Sequence, residues 1–199
     1  MAVSIRQAQA EDIPALVVLI NGYAARNLML PRTPEAVLKT LPDWLVAVER
    51  DGQDEKTLLG CGSLVTLTPE LAEVRSLAVH AEGQGRGVGS LLVEHLVALA
   101  KAREFGQVCA LTLRERFFQR LGFEIVDRWS ISPKLWQECI YCPKFHRCDE
   151  VAVLKHLTAR SQDEAAAAWP AGNPLLKWQA WHPLKLAYSY RPIHLDVEE

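Results

Sequence analysis

An excess of basic charge is missing from this 199-residue chain. Its 22 lysines and arginines meet 24 aspartates and glutamates, for a formal net charge of −2. A domain built to grip nucleic acid carries a basic face, so nucleic acid is excluded as an expected partner. Also missing is any apolar run long enough to span a bilayer. The opening stretch MAVSIRQAQAEDIP lacks the apolar core of a signal peptide. These absences lead to the expectation of a cytoplasmic protein that does not engage membranes and whose five cysteines stay reduced. Internal repeats and low-complexity tracts are absent as well.

What is present suits one globular domain with an appendage. Hydrophobic residues make up 49% of the chain, ample for a core. VSIRQAQ reads as a first strand. Asp12 is expected to cap a helix running to about Ala25, with Ile13, Leu16, Val17 and Ile20 at helical spacing. TPEAVLKTL reads as a second helix with Thr33 as its cap and Pro34 at its first position. WLVAVER and TLLGCGSLVTLTP flank a polar turn and predict a hairpin. AEVRSLAVH is a further strand, and a long helix is expected from about Arg86 to Arg103. QVCALTL, FEIVDRW and DEVAVLKHL read as later strands, with a short helix in RERFFQRLG. Hairpinned strands followed by strands alternating with helices imply an α/β (α+β) fold around a mixed sheet.

HAEGQGRGVGS, residues 80–90, sits between that strand and that helix. Gly83, Gly85, Gly87 and Gly89 fall at alternate positions. A strand, a glycine-rich turn and a helix N-terminus make an anion site, because unpaired N–H groups and the helix dipole both favour negative charge. The spacing excludes two common nucleotide motifs. There is no Gly-Lys-Ser/Thr run for a Walker A loop, and G-x-G-x-G is not the G-x-G-x-x-G of a dinucleotide fold.

Gln84-Gly85-Arg86-Gly87-Val88-Gly89 instead resembles the Q/R-x-x-G-x-G/A signature of the GNAT superfamily of acetyl-CoA-dependent N-acetyltransferases. The match extends across RSLAVHAEGQGRGVGSLLVEHLVALA, with strand, loop and amphipathic helix in register. The resemblance implies a mostly antiparallel sheet flanked by helices, with acetyl-CoA as co-substrate. It implies that Leu77, Ala78 and Val79 pair with the pantetheine arm. It further implies that Gln84, Gly85, Arg86, Gly87, Val88, Gly89 and Ser90 cradle the pyrophosphate.

AEVRSLAV, ALTL, FFQRLGFE and CPKF..CDEVAV, together with the loop NLMLPR, resemble the single-domain N-acetylglutamate synthase group over roughly residues 3–157. That resemblance implies acetylation of the α-amine of a free amino acid, L-glutamate foremost, a reaction of arginine biosynthesis. The chain is too short for the arginine-binding kinase-like domain of larger relatives. Such chemistry needs a base for the amine, a carbonyl polariser and cations for carboxylates. Glu73 is the candidate base, since the group has an acidic residue at this position. Strand alternation is expected to put Glu73, Arg75, Leu77 and Val79 on one face. A backbone N–H near Ala78 or Val79 would polarise the thioester. Arg32 is the first candidate for a substrate carboxylate and Arg75 the second, because guanidinium grips carboxylates at two points. Ser76, Thr112 and Arg114 are expected to finish the pocket.

Two features stand apart. Many members of the superfamily have a tyrosine general acid in the short helix before GF; here Phe117 and Phe118 stand there, and phenylalanine donates no proton. The thiolate must leave unprotonated, which a thiol pKa near 8.5 tolerates, or take its proton from water or another group. Cys139, Cys142 and Cys148, with His146 between them, have the composition of a structural zinc site. His146 and Cys148 are awkwardly close for one ion, so reduced thiols shaping the insert are the reading and no metal is assigned.

Residues 158–199 form a second region, rich in tryptophan, tyrosine and proline. It is expected to be an arm packed on the domain (1–157) or on a partner subunit in a homodimer. Two alternatives to the amino-acid reaction stay open. One is acetylation of another amine, such as a protein N-terminus, a lysine or a polyamine. The other is an acyl-CoA-binding regulatory module without turnover.

Overall fold

The structure is a computed structural model, and it describes residues 2–51, 54–137, 139–142 and 144–157. The expected aromatic arm, residues 158–199, lies outside the described residues, as does its packing on the domain or on a partner.

Among the described residues seven strands form one sheet in the order β1-β2-β3-β4-β5-β7-β6. They are β1 (Ala2–Gln7), β2 (Trp44–Asp51), β3 (Asp54–Thr66), β4 (Leu71–Val79), β5 (Gln107–Thr112), β6 (Glu124–Ile125) and β7 (Val151–His156). Only β4 and β5 run parallel, and they pair over just three positions, Leu71–Glu73 against Gln107–Cys109. Every other neighbour is antiparallel. The expected hairpin is β2–β3, its ladder running to Asp51 opposite Asp54.

Among the described residues five α-helices flank the sheet: α1 (Ile13–Ala24), α2 (Pro34–Lys39), α3 (Val88–Ala102), α4 (Glu115–Arg120) and α5 (Ser132–Gln137). Apolar residues at helical spacing bury one face of α3, with Val88, Leu92, Val93, Leu96 and Ala100 against the sheet. Thr33 caps α2 as expected, its hydroxyl accepting the Ala36 N–H at 3.2 Å. Among the described residues no helix is long and apolar enough to cross a membrane.

Two local expectations are corrected. Asp12 does not cap α1 with its side chain. Its carboxylate pairs with Arg6 at 2.6 Å and accepts the Gln9 N–H at 2.7 Å, closing a 3-10 turn at Ala10–Asp12. In FEIVDRW the strand covers only Glu124 and Ile125, with one further hydrogen bond from the Val126 N–H to the Ala152 carbonyl at 3.0 Å. Asp127 then turns the chain, its carboxylate accepting the Trp129 N–H at 2.7 Å, as aspartate does in turns.

The core lies on both faces of the sheet. On the α3 face one cluster links Ala72 and Val74 of β4 with Val93, Leu96, Val108, Phe118 and Val153, and a second joins Ala47 and Leu59 with Val88 and Leu92. The opposite face carries two separate clusters. One joins α1, α2, β2 and Cys61; the other joins Leu67, Leu71, Cys109, Ile131 and Leu154.

Candidate functional site

The site is organised by a break in β4. Between Cys61 and Ser63 of β3, the partner on β4 jumps from Ala78 to Arg75, so β4 carries one extra residue. Ser76 takes up the strain with φ at +53°, a left-handed conformation that few L-residues adopt. The extra residue reverses the parity of the strand. Before it, Ala72 and Val74 pack toward α3 while Glu73 and Arg75 face the other way. After it, Leu77 and Val79 pack toward α3 with Val88 and Leu92, and Ala78 faces α1. The expectation that Glu73, Arg75, Leu77 and Val79 share one face is therefore corrected. Beyond the bulge β4 has no partner on its β5 side, which leaves the two strands splayed.

Glu73 is 2% exposed and lies against Cys109 in the β4–β5 register. Both its oxygens are held. Arg75 donates from Nε at 2.9 Å and Nη2 at 2.5 Å to Oε2. Lys134, 6% exposed, reaches Oε1 at 2.8 Å from α5. Burial and the Glu73 charge push the Cys109 thiol up, against the opposing pull of Lys134 and Arg75. Burial likewise raises Cys61 to about 12 and Cys139 to about 11, which leaves both protonated at neutral pH and poor nucleophiles.

Arg32 comes to the same region from the loop between α1 and α2. The Asn21 side chain clamps its backbone from both sides, accepting the Arg32 N–H and donating to its carbonyl, each at 3.0 Å. The guanidinium then reaches β4, with Nε 3.2 Å from Ser76 Oγ. Arg32, Glu73, Arg75 and Ser76 are thus brought to one stretch of strand. Thr112 and Arg114 are not. Thr112 shares strand parity with Val108 and Ala110, which pack toward α3, and its hydroxyl accepts the Arg114 N–H at 2.9 Å at the entry to α4.

The glycine loop presents backbone. Gly85 and Gly87 have φ of +73° and +78°, and a Cβ at either would meet nothing within 4 Å. Both conformations suit glycine, and the open space lets a ligand approach the main chain. Gly87 caps α3, a 15-residue helix whose first N–H groups lack helical partners. A pyrophosphate fits such a cradle on charge and on space. At Gly89 a Cβ would lie 3.5 Å from the Phe117 ring, which leans over the start of α3. Phe118 is buried beside it, edge-to-face at 5.1 Å, so these aromatics do pack on the sheet.

Other loop side chains have structural partners. Gln84 donates to the Tyr23 hydroxyl at 2.9 Å and to the Val79 carbonyl at 3.3 Å. Tyr23 donates to that same carbonyl at 2.6 Å. Arg86 pairs with Glu49 at 2.6 Å. Val88 is buried, so it offers only its backbone at the start of the helix, whereas Ser90 is half-buried. Sequence reasoning missed Tyr23 and Lys134. The available signal for Lys134 was a lone cation in the otherwise uncharged stretch SISPKLW. Among the described residues no three of His, Cys, Asp or Glu converge on a metal site.

Residues 43–125 match the family described as an acetyltransferase (GNAT) domain. An uncharacterized N-acetyltransferase of Chlorobaculum tepidum is 36% identical over 153 residues, which is 77% of this chain and 96% of that protein. The amino-acid acetyltransferase of Mycobacterium tuberculosis is 28% identical over 134 residues, covering 67% of this chain and 75% of its own. Among solved structures, N-acetylglutamate synthase from Neisseria gonorrhoeae, complexed with coenzyme A and N-acetyl-glutamate, superposes with a TM-score of 0.66. It is 24% identical, and the match spans 79% of this chain and 36% of that one.

Proposed function

Because this chain belongs to the GNAT family of acetyl-CoA-dependent N-acetyltransferases, we propose that its acceptor is the α-amine of a free amino acid, L-glutamate foremost. The observation that carries this reading is Arg32. Its backbone is clamped by Asn21 and its guanidinium is delivered to Ser76, three residues along β4 from Glu73. A two-point carboxylate grip beside a buried carboxylate suits an acceptor that bears an amine and carboxylates on one small frame. Relatives named amino-acid acetyltransferase support it, and with it a place in arginine biosynthesis.

In this reading both substrates bind together and the acetyl group moves directly. The glycine loop holds the pyrophosphate with the backbone N–H groups around Gly85 to Gly89. Glu73 takes a proton from the amine, directly or through water. The neutral nitrogen attacks the thioester carbonyl, whose oxygen is met by a backbone N–H of Ala78 or Val79 beside the bulge. The C–N bond forms, the nitrogen sheds its second proton to water, the C–S bond breaks, and coenzyme A leaves as a thiolate. Phe117 supplies no proton to it.

Thiol release from acetyl-CoA, measured with a panel of free amino acids, tests the reading. L-glutamate should turn over ahead of L-glutamine and L-aspartate. Glu73→Gln should lose on the order of a hundredfold or more in kcat. Arg32→Met should raise KM for the amino acid far more than it lowers kcat. Silence across the panel, with acetyl-CoA still bound, would reject a free amino acid as acceptor and leave a peptide amine or a regulatory role.

A further inference from the structure

Lys134 reaches the site from a segment that the reaction, as described so far, does not use. It sits on α5, in the stretch between β6 and β7, and its ammonium lies 2.8 Å from Glu73 Oε1. We propose that Lys134 is a positioning residue that fixes the orientation of the Glu73 carboxylate; the inference rests on Glu73 acting as the base.

A glutamate side chain turns about three torsions, so a carboxylate held at one oxygen can still pivot about that point. Arg75 Nε and Nη2 both go to Oε2. Arg75 therefore anchors one oxygen and leaves the rest of the side chain to pivot about it. Lys134 holds the other oxygen, and the two cations together lock the plane. Each ionised carboxylate oxygen accepts about two hydrogen bonds, so Oε1 keeps capacity for one more donor, the amine or a water.

Stability does not account for this lysine. The segment is already tied down on both sides of it. Ile131 is fully buried in an apolar cluster, and Gln137 donates to the Leu67 carbonyl at 3.2 Å. Buried ion pairs are often neutral or worse for stability compared with apolar residues of similar volume. A fold needing only packing here would do as well with apolar residues in place of both Glu73 and Lys134, so the pair serves something besides stability.

The test is a double-mutant cycle. Lys134→Met is made in the wild-type chain and in Glu73→Gln, with acetyl-CoA affinity and kcat and KM for L-glutamate measured in each. Lys134→Met alone should lower kcat on the order of tenfold to a hundredfold, the range expected for a displaced reacting group. Acetyl-CoA affinity should stay within about twofold, because the role assigned to Lys134 runs through Glu73. In Glu73→Gln the same change should cost almost nothing more, and Lys134→Arg should recover most of the loss. Wild-type kcat in Lys134→Met, or an equal loss in both backgrounds, overturns the inference. If the methionine variant does not fold, Lys134→Gln carries the same comparison, and wild-type kcat there overturns it too. Full turnover in Glu73→Gln alone would instead remove the base itself.

Discussion

Glu150 carries its charge at a cost. Burial pushes its carboxyl up, with Asp149 and Glu73 adding to the effect, while Lys134 and Lys144 oppose it less strongly. A carboxyl with a raised folded pKa holds its proton more tightly in the fold than in the open chain. It therefore favours the fold fully below the open-chain value, near 4.3, and that contribution is lost as pH rises through the folded value. Glu150→Gln should raise the unfolding temperature at pH 7 to 8, and the gain should shrink toward zero as pH falls to about 4. Equal gains at both ends of that range would mean that the titration of Glu150 is not what matters. Single residues were the most legible scale in the sequence where chemistry singled them out. Glu73 and Arg32 were named from the reaction and a family resemblance, and the structure brings both to β4. Lys134 was not, because it meets Glu73 across 61 positions of chain and no local pattern records such a contact.

At the scale of elements, β4 shows what periodicity can and cannot reveal. The run AEVRSLAVH reads as one strand, and one strand forms there, over Leu71–Val79. A single extra residue leaves that run unbroken as a pattern, yet it reverses which side chains face α3. Alternation therefore named the strand and misplaced its second half. The glycine loop and α3 fared better, since spacing and amphipathic period are local properties. The bulge also makes a prediction. Ser76 at φ +53° tolerates glycine, whereas a β-branched residue there is a steric outlier. Ser76→Val should destabilise the protein by roughly 1–3 kcal/mol in chemical denaturation. Ser76→Gly should keep the fold while raising KM for the amino acid, through loss of the hydroxyl that meets Arg32. Comparable stability for the valine variant would mean that the bulge relaxes easily.

The whole molecule is a sheet in two parts, β1 to β4 and β5-β7-β6, joined by three parallel residue pairs. On one face the apolar cluster under α3 ties the parts together. On the other face the apolar clusters stay separate, and Arg32, Glu73, Arg75 and Lys134 are polar groups placed there. A substrate that enters the splay bridges two halves that the chain itself joins weakly, so binding should stabilise the whole fold. At acetyl-CoA concentrations about a hundred times Kd, the gain is roughly 2.7 kcal/mol. For a protein of this size that corresponds to about 5–10 °C in Tm. Gly87→Ala separates the loop from the rest. Its Cβ meets no atom, so its cost is conformational, about 1–2 kcal/mol at φ +78°. The variant should melt lower without ligand and, on the proposed reading that the loop's N–H groups hold the pyrophosphate, should also show a smaller rise with acetyl-CoA. A lower melting point with an undiminished rise would place the cofactor's grip outside this loop.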